Sequence, residues 1–294
     1  MGILLGLTGA ICWGVADFSA RFASRRVGAY RTLFFMQFFG FLALSFFLVS
    51  THGFGHGIAP GWRPWAMAVV AGLLNMAASL SLYYSFQIGV MSIVAPVSSC
   101  YPALTVALAI LSGERIGALR AVGLAVTLMG VILAATSFAP LLQESSEDAK
   151  EGARAHLAKG VAWAIFTALG FGVLFWYLGF YVVPAIGSGV SVWVMRLTAL
   201  AALALIARPA RQSIRMPHGR VWWLLAAVGL MDTAAFVANN SGLHIGPVSV
   251  VSVLASLYGA VTVLLSWIFL REKLERSQWF GIALIFAGII LVSV

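Results

Sequence analysis

The stretch GLLNMAASLSLYYSFQIGVMSIVAPVSSCYPALTVALAILSGERIGALRAVGLAVTLMGVIL, residues 72–133, is written twice in this chain of 294 residues. At a shift of 157, Gly72-Leu73 falls on Gly229-Leu230, Ala77-Ala78 on Ala234-Ala235, and Ile88-Gly89 on Ile245-Gly246. Ser99 and Tyr101 fall on Ser256 and Tyr258, and Thr105-Val106 on Thr262-Val263. One inserted residue later, Glu114-Arg115-Ile116 meets Glu272-Lys273-Leu274, and Gly123 and Gly130 meet Gly281 and Gly288. The chain is a duplication. Copies that each cross a membrane an odd number of times are inverted with respect to one another, as in many secondary transporters.

The composition requires a membrane. Hydrophobic residues make up 62% of the chain and charged ones 9%, too few to cover a soluble protein of this length. The net charge of +9 does not indicate nucleic acid, because the basic residues sit at the ends of apolar runs rather than along one face. Cys12 and Cys100 lie inside apolar segments and read as packing residues. The N-terminus enters an apolar run at once, so it reads as a first spanning helix rather than a cleaved signal.

A spanning helix needs about 20 mostly apolar residues. Ten segments qualify: 3–22, 30–50, 64–87, 90–112, 116–136, 158–181, 187–207, 220–243, 246–270 and 275–293. The expected fold is therefore an all-α integral membrane protein with ten transmembrane helices in two inverted five-helix repeats. Residues 1–136 form the first repeat and 158–294 the second, with 137–157 as a flexible polar linker. Loop charges set the orientation. Loops 1–2, 5–6, 7–8 and 9–10 with their flanks carry fourteen of the eighteen Lys and Arg, whereas the opposite side carries only Arg63, Arg115 and Arg120. Basic loops stay in the cytoplasm, so both termini are expected on the periplasmic side of a bacterial inner membrane. Loop 1–2 has four arginines and its repeat counterpart, loop 6–7, has none, as inversion requires.

The run Tyr84-x-x-x-x-Gly89-x-x-Ser92-x-Val94-Ala95-Pro96, then Tyr101-Pro102, Gly113-Glu114-Arg115, Gly123 and Gly130, resembles the hallmark of the EamA-type drug/metabolite transporter superfamily. Gly246-Pro247, Tyr258, Glu272-Lys273-Leu274, Gly281 and Gly288 repeat it. Length, aromatic content and compact loops look most like the bacterial amino-acid exporter branch. The resemblance implies a cavity between the halves, lined by the first, third and fourth helices and by the sixth, eighth and ninth.

A charged residue at a helix centre costs about 2.5–3.5 kcal/mol on insertion scales, so interior polar groups should face protein or water. Asn75, Ser79 and Tyr83 share one face of the third helix; their counterparts in the eighth are Asp232, Phe236 and Asn240, with Asn239 alongside. These groups, with Tyr101 and Tyr258 in the fourth and ninth helices, suit a zwitterion with an apolar side chain. Trp13 and Trp163 could close the cavity around that side chain. Asp17, four residues before Arg21, is expected to pair with it. Arg196 and Asp232 are expected to bond to each other, as Gln37 and Asn75 are in the first half. The charged pair reads as a structural lock, with substrate contact or proton coupling as the alternative. Pro96 and Pro102 are expected to bend the fourth helix; Val253 and Gly259 replace them in the ninth, so the halves should bend differently. Glu114 and Glu272 read as loop salt bridges with Arg115 and Lys273.

Neither a catalytic constellation nor a phosphate loop is present, so an enzyme or an ATPase is not expected. His52 and His56 are too isolated for a metal site, and no cofactor is implied. The expected partners are the lipid bilayer and a small-molecule substrate, with no nucleic acid, and a monomer is compatible with this organisation. The reading is a secondary transporter exporting amino acids, including aromatic and other apolar ones. Another small metabolite or drug is the alternative cargo, and a membrane scaffold the alternative outside transport. The topology predicts that alkaline phosphatase fused after Val294 is active and a fluorescent protein at the same place is dark; the reverse pattern would refute it.

Overall fold

The computed structural model describes residues 1–54, 60–89, 91–135, 147–270 and 276–293, and among them the regular structure is helical. Lipid offers no partner to an open N–H or C=O, so the apolar runs satisfy their backbones internally. The first repeat holds α1 (Gly2–Val27), α2 (Ala29–Ser50), α3 (Arg63–Ile88), α4 (Met91–Ser98), α5 (Pro102–Leu111) and α6 (Ala118–Ala135). The second opens on α7 (Glu147–Tyr177), which runs through a π turn at Leu178–Val182 into α8 (Val183–Ile186). It continues with α9 (Ser188–Ala207), α10 (Val221–Ile245), α11 (Val248–Ala255), α12 (Tyr258–Leu270) and α13 (Arg276–Ser293).

Seven described stretches are long and apolar enough to cross a membrane, including Gly160–Ile186 and Val248–Phe269. Three shorter apolar helices, Pro102–Leu111, Ala118–Gly130 and Trp279–Leu291, lie where the fourth, fifth and tenth spans are expected. The segment expected as a linker is partly helical, since α7 starts at Glu147. Residues 136–146 and Glu272-Lys273-Leu274 lie outside the described residues.

The halves interlock by exchanging partners. α1 packs on α10, α3 on α7, and α6 on α13. The repeat-equivalent pair α6 and α13 shows the inversion directly. A Cβ on Gly130 would lie 2.7 Å from the carbonyl oxygen of Gly281, and one on Gly288 would lie 2.8 Å from that of Gly123. The higher-numbered glycine of each helix thus meets the lower-numbered glycine of the other, so two homologous helices run antiparallel. Where lipid supplies no hydrophobic drive between helices, close backbone contact at small residues replaces it.

The fourth and ninth spans are each interrupted by a turn. Ser99–Tyr101 separate α4 from α5, and Ser256–Leu257 separate α11 from α12. Pro96 lies within α4, and Pro102 sits at the interruption as the first residue of α5. Its missing N–H costs nothing there. The ninth span is interrupted at the matching place without proline. Tertiary contact supplies the reason. The Tyr101 hydroxyl donates to the Ser252 carbonyl at 3.0 Å, and the Tyr258 hydroxyl donates to Ser98 Oγ at 3.2 Å. The two rings stack 6.4 Å apart, and a Cβ on Gly259 would meet Ser99 Oγ at 2.6 Å. Each break is thus held by a tyrosine from the other half.

Gly288→Val should therefore overpack the α6–α13 contact and cost about 1–3 kcal/mol. A lowered thermal midpoint in detergent checks it, with Gly187→Val, which meets no neighbour but strains a positive φ of 79°, as a contrast in mechanism.

Candidate functional site

The breaks and the exchanged helix pairs leave a small cavity near the centre of the bundle. Trp13 and Asp17 enter it from α1, and Ser79, Leu82 and Tyr83 from α3. Tyr101 and Tyr258 come from the two breaks, Phe171 and Phe175 from α7, and Asp232 and Phe236 from α10. Its volume is about 20 Å³, room for roughly one water. The wall is aromatic. Trp13 meets Phe236 edge-on at 5.0 Å, Phe175 at 5.5 Å and Tyr258 at 6.5 Å between ring centroids.

One side of the cavity is anchored by a buried charge network. Arg196, 1% exposed in α9, forms an ion pair through Nη2 with Asp232 Oδ2. Its Nη1 donates to Gln37 Oε1 of α2 at 2.6 Å, and its guanidinium lies 5.2 Å from the centre of the Phe236 ring. Trp13 Nε1 donates to the other carboxylate oxygen of Asp232 at 3.1 Å. The expected Arg196–Asp232 pair is present. The expected Gln37–Asn75 pair is not, because Gln37 accepts from Arg196, while Asn75 Oδ1 accepts a long 3.5 Å bond from Ser79.

Two polar groups in the cavity wall are uncommitted. The carboxylate of Asp17, 5% exposed, has no hydrogen bond or ion pair among the described residues, so the expected pair with Arg21 is absent. The hydroxyl of Tyr83 is likewise without a partner among them. The cavity wall therefore carries two carboxyl groups, and the Arg196 guanidinium that pairs with one of them, Asp232, does not itself line it. An unmatched carboxylate in apolar surroundings calls for a cation or a proton.

Six residues expected at a substrate site come together here: Trp13, Ser79, Tyr83, Tyr101, Asp232 and Tyr258. Four do not. Asn75 sits behind Ser79. Asn239 is fully buried beside Gly9, and Asn240 donates to Ser191 Oγ at 3.0 Å, so both belong to the α10 packing seams. Trp163 is 42% exposed and packs edge-on to Tyr84 at 5.4 Å, away from Trp13. The face it shares with Thr167 is the right one, but the cavity lies two turns further on, at Phe171 and Phe175. The four-residue spacing 163, 167, 171, 175 carried that signal. Asp17 was legible in the same way, one turn after Trp13 on the same face.

Glu114 also differs from expectation. Its carboxylate accepts from the backbone N–H groups of Val248 at 3.0 Å and Ser249 at 3.2 Å, and from the Ser249 hydroxyl. It caps the N-terminus of α11, where the orphan donors and the positive helix end favour an anion, and ties the first repeat to the second.

A model of the EamA-like transporter family matches residues 1–136 and again 158–294. The chain belongs to this family. It is therefore a multi-pass membrane protein of a transporter family. An uncharacterized protein of Methanocaldococcus jannaschii is 30% identical over 136 residues, 46% of this chain and 96% of that one. An uncharacterized transporter from the cobO 3' region of a Sinorhizobium species is 36% identical over 76 residues, 26% of this chain and 54% of that protein. A solved crystal structure superimposes with a TM-score of 0.77 over 99% of this chain and 96% of its own, at 18% identity, a likeness of fold.

Arg196→Gln should leave Asp232 buried without its cation and cost about 3–5 kcal/mol of stability. Asp232→Asn added to it should recover most of that loss in a denaturation assay. If the double variant also transports normally, the pair is a lock and not a transport group.

Proposed function

We propose that the protein is a secondary transporter that exports amino acids, including aromatic and other apolar ones, across a bacterial inner membrane by alternating access. The observation that carries this reading is the pair of uncommitted groups in an aromatic cavity. Asp17 offers an acceptor for an ammonium group, Tyr83 offers a donor for a carboxylate, and the surrounding rings offer a surface for an apolar side chain. Ammonium groups are also attracted to ring faces, by about 0.5–2 kcal/mol depending on desolvation.

A cavity of about 20 Å³ is too small for an amino acid, so the halves must part to admit one. The geometry suits that motion. Tyr101, Tyr258 and Glu114 make their bonds across the repeat boundary and can exchange them as the repeats rock about the central site. The basic loops support the orientation with both termini periplasmic.

A second reading has its own support. Arg196 is held by Asp232 and Gln37, so the cavity wall offers a spare carboxyl group, Asp17, and no spare guanidinium. That favours a small organic amine without a carboxylate, a metabolite or a drug. Proteoliposomes loaded with a panel of radiolabelled amino acids and their decarboxylated amines separate the two. The amino-acid reading expects phenylalanine flux that falls at least about tenfold in Asp17→Asn and in Tyr83→Phe, the loss of one charged and one neutral hydrogen bond being worth roughly 1–3 kcal/mol each. Flux of the amines alone, unaffected by Tyr83→Phe, would overturn it in favour of the second reading.

A further inference from the structure

A second cavity of about 460 Å³ opens at the basic end of the bundle and shares no lining residue with the central one. α3 separates the two. Ser79 and Tyr83 face the centre, whereas Leu80 and Tyr84, each one residue on, face the crevice. Its other walls are the corner between α1 and α2, with Arg31, then Trp163 from α7 and Ile206 from α9.

The crevice is divided chemically. Its flank is apolar and outward-facing: Tyr84, Trp163 and Ile206 are 40%, 42% and 39% exposed, and the Tyr84 and Trp163 rings meet edge-on. Aromatic rings of this kind settle at the level of lipid headgroups. Its inner end is basic. Arg31 donates through Nη2 to the carbonyl of Arg215, while its Nε is buried and has no partner. Gln87 is committed, accepting from the Ala29 N–H at 3.1 Å. Among the described residues, no Asp or Glu lines the crevice. Arg208 and Arg211 follow α9 at the same end. A soluble anion would find the guanidinium but leave the open apolar flank uncovered. An uncharged lipid would cover the flank and leave Arg31 unmatched.

We infer that this crevice holds one anionic phospholipid, its phosphate on Arg31 and an acyl chain along Leu80, Tyr84, Trp163 and Ile206. The cavity is of a size that takes a small-molecule ligand, and a basic pocket between membrane helices is the charge pattern that selects acidic headgroups. The lipid wedges between α3, α7 and α9, helices of both repeats, and so binds to the elements that move in the proposed cycle.

The test uses the purified full-length protein in detergent and native mass spectrometry. The probes are phosphatidylglycerol, phosphatidylcholine with the same chains, and inorganic phosphate. Wild type should retain one phosphatidylglycerol in preference to phosphatidylcholine. Arg31→Gln should weaken that retention about fivefold, the effect of one basic residue at an anionic lipid surface. Ile206→Trp, which fills the apolar flank and leaves Arg31 in place, should abolish it and keeps the test valid if Arg31→Gln fails to fold. Arg115→Gln, beside the Glu114 cap at the other end, should change nothing. Equal retention of the two lipids, or wild-type retention in both crevice variants, would overturn the inference. So would displacement of the lipid by millimolar phosphate, which would mark a site for free anions. If Ile206→Trp stops transport while lipid retention is unchanged, the crevice is a substrate entrance instead.

Discussion

The Arg196–Asp232 ion pair is the constraint on which the rest of the site depends. A charge in a bilayer-spanning helix is tolerated only when matched, and the two members of this pair match each other, while the buried Arg196 Nε has no partner among the described residues. Asp232 accepts from Arg196 and Trp13; Arg196 donates to Asp232 and Gln37 and lies over the Phe236 ring. Four helices, α1, α2, α9 and α10, are thereby held at one depth. The same bonds fix the face of Trp13, and with it the aromatic wall. They also commit the one buried guanidinium among the described lining and anchoring groups, which is why Asp17 is left unmatched. The bonded Arg196 and the unmatched Asp17 are two consequences of one arrangement.

Around that ion pair the two repeats are alike in backbone and unlike in side chains. Both the fourth and the ninth spans break, and each break is secured by a tyrosine from the opposite repeat. One break has a proline at its edge and the other has a glycine, packed against Ser99. The local sequence cause differs, and the shared tertiary contact is the same. The charged groups are not shared. Asn75 and Gln37 hold the places where the second repeat has Asp232 and Arg196, so the bundle is symmetric in shape and asymmetric in charge. The Glu114 cap on α11 adds a cross-repeat bond from an anion to a helix N-terminus, where a local salt bridge was the simpler expectation.

Much of this was legible in the chain. The repeat, the membrane class and the pairing of Arg196 with Asp232 follow from spacing, hydropathy and the cost of an unmatched charge in lipid. Six cavity residues follow from polar and aromatic side chains recurring at four-residue intervals. The failures have a common form. Trp163 lies on the right face two turns too early, Asn239 and Asn240 lie on neighbouring faces, and Asp17 has a sequence neighbour, Arg21, that it does not use. A helical period tells which residues share a face. It does not tell which turn of that face reaches the centre, because depth is set by how partner helices stagger.

The sequence by itself determined a duplicated, helical membrane protein with inverted halves, because hydropathy, internal identity and loop charge are properties of the chain alone. Only the tertiary structure decided which side chains remain uncommitted. A hydrogen-bonding group is spent or spare according to what the opposite repeat brings to it. Gln37 was spent on Arg196, Glu114 on α11, and the Tyr101 and Tyr258 hydroxyls on each other's helices, and Asp17 and Tyr83 were left facing the cavity.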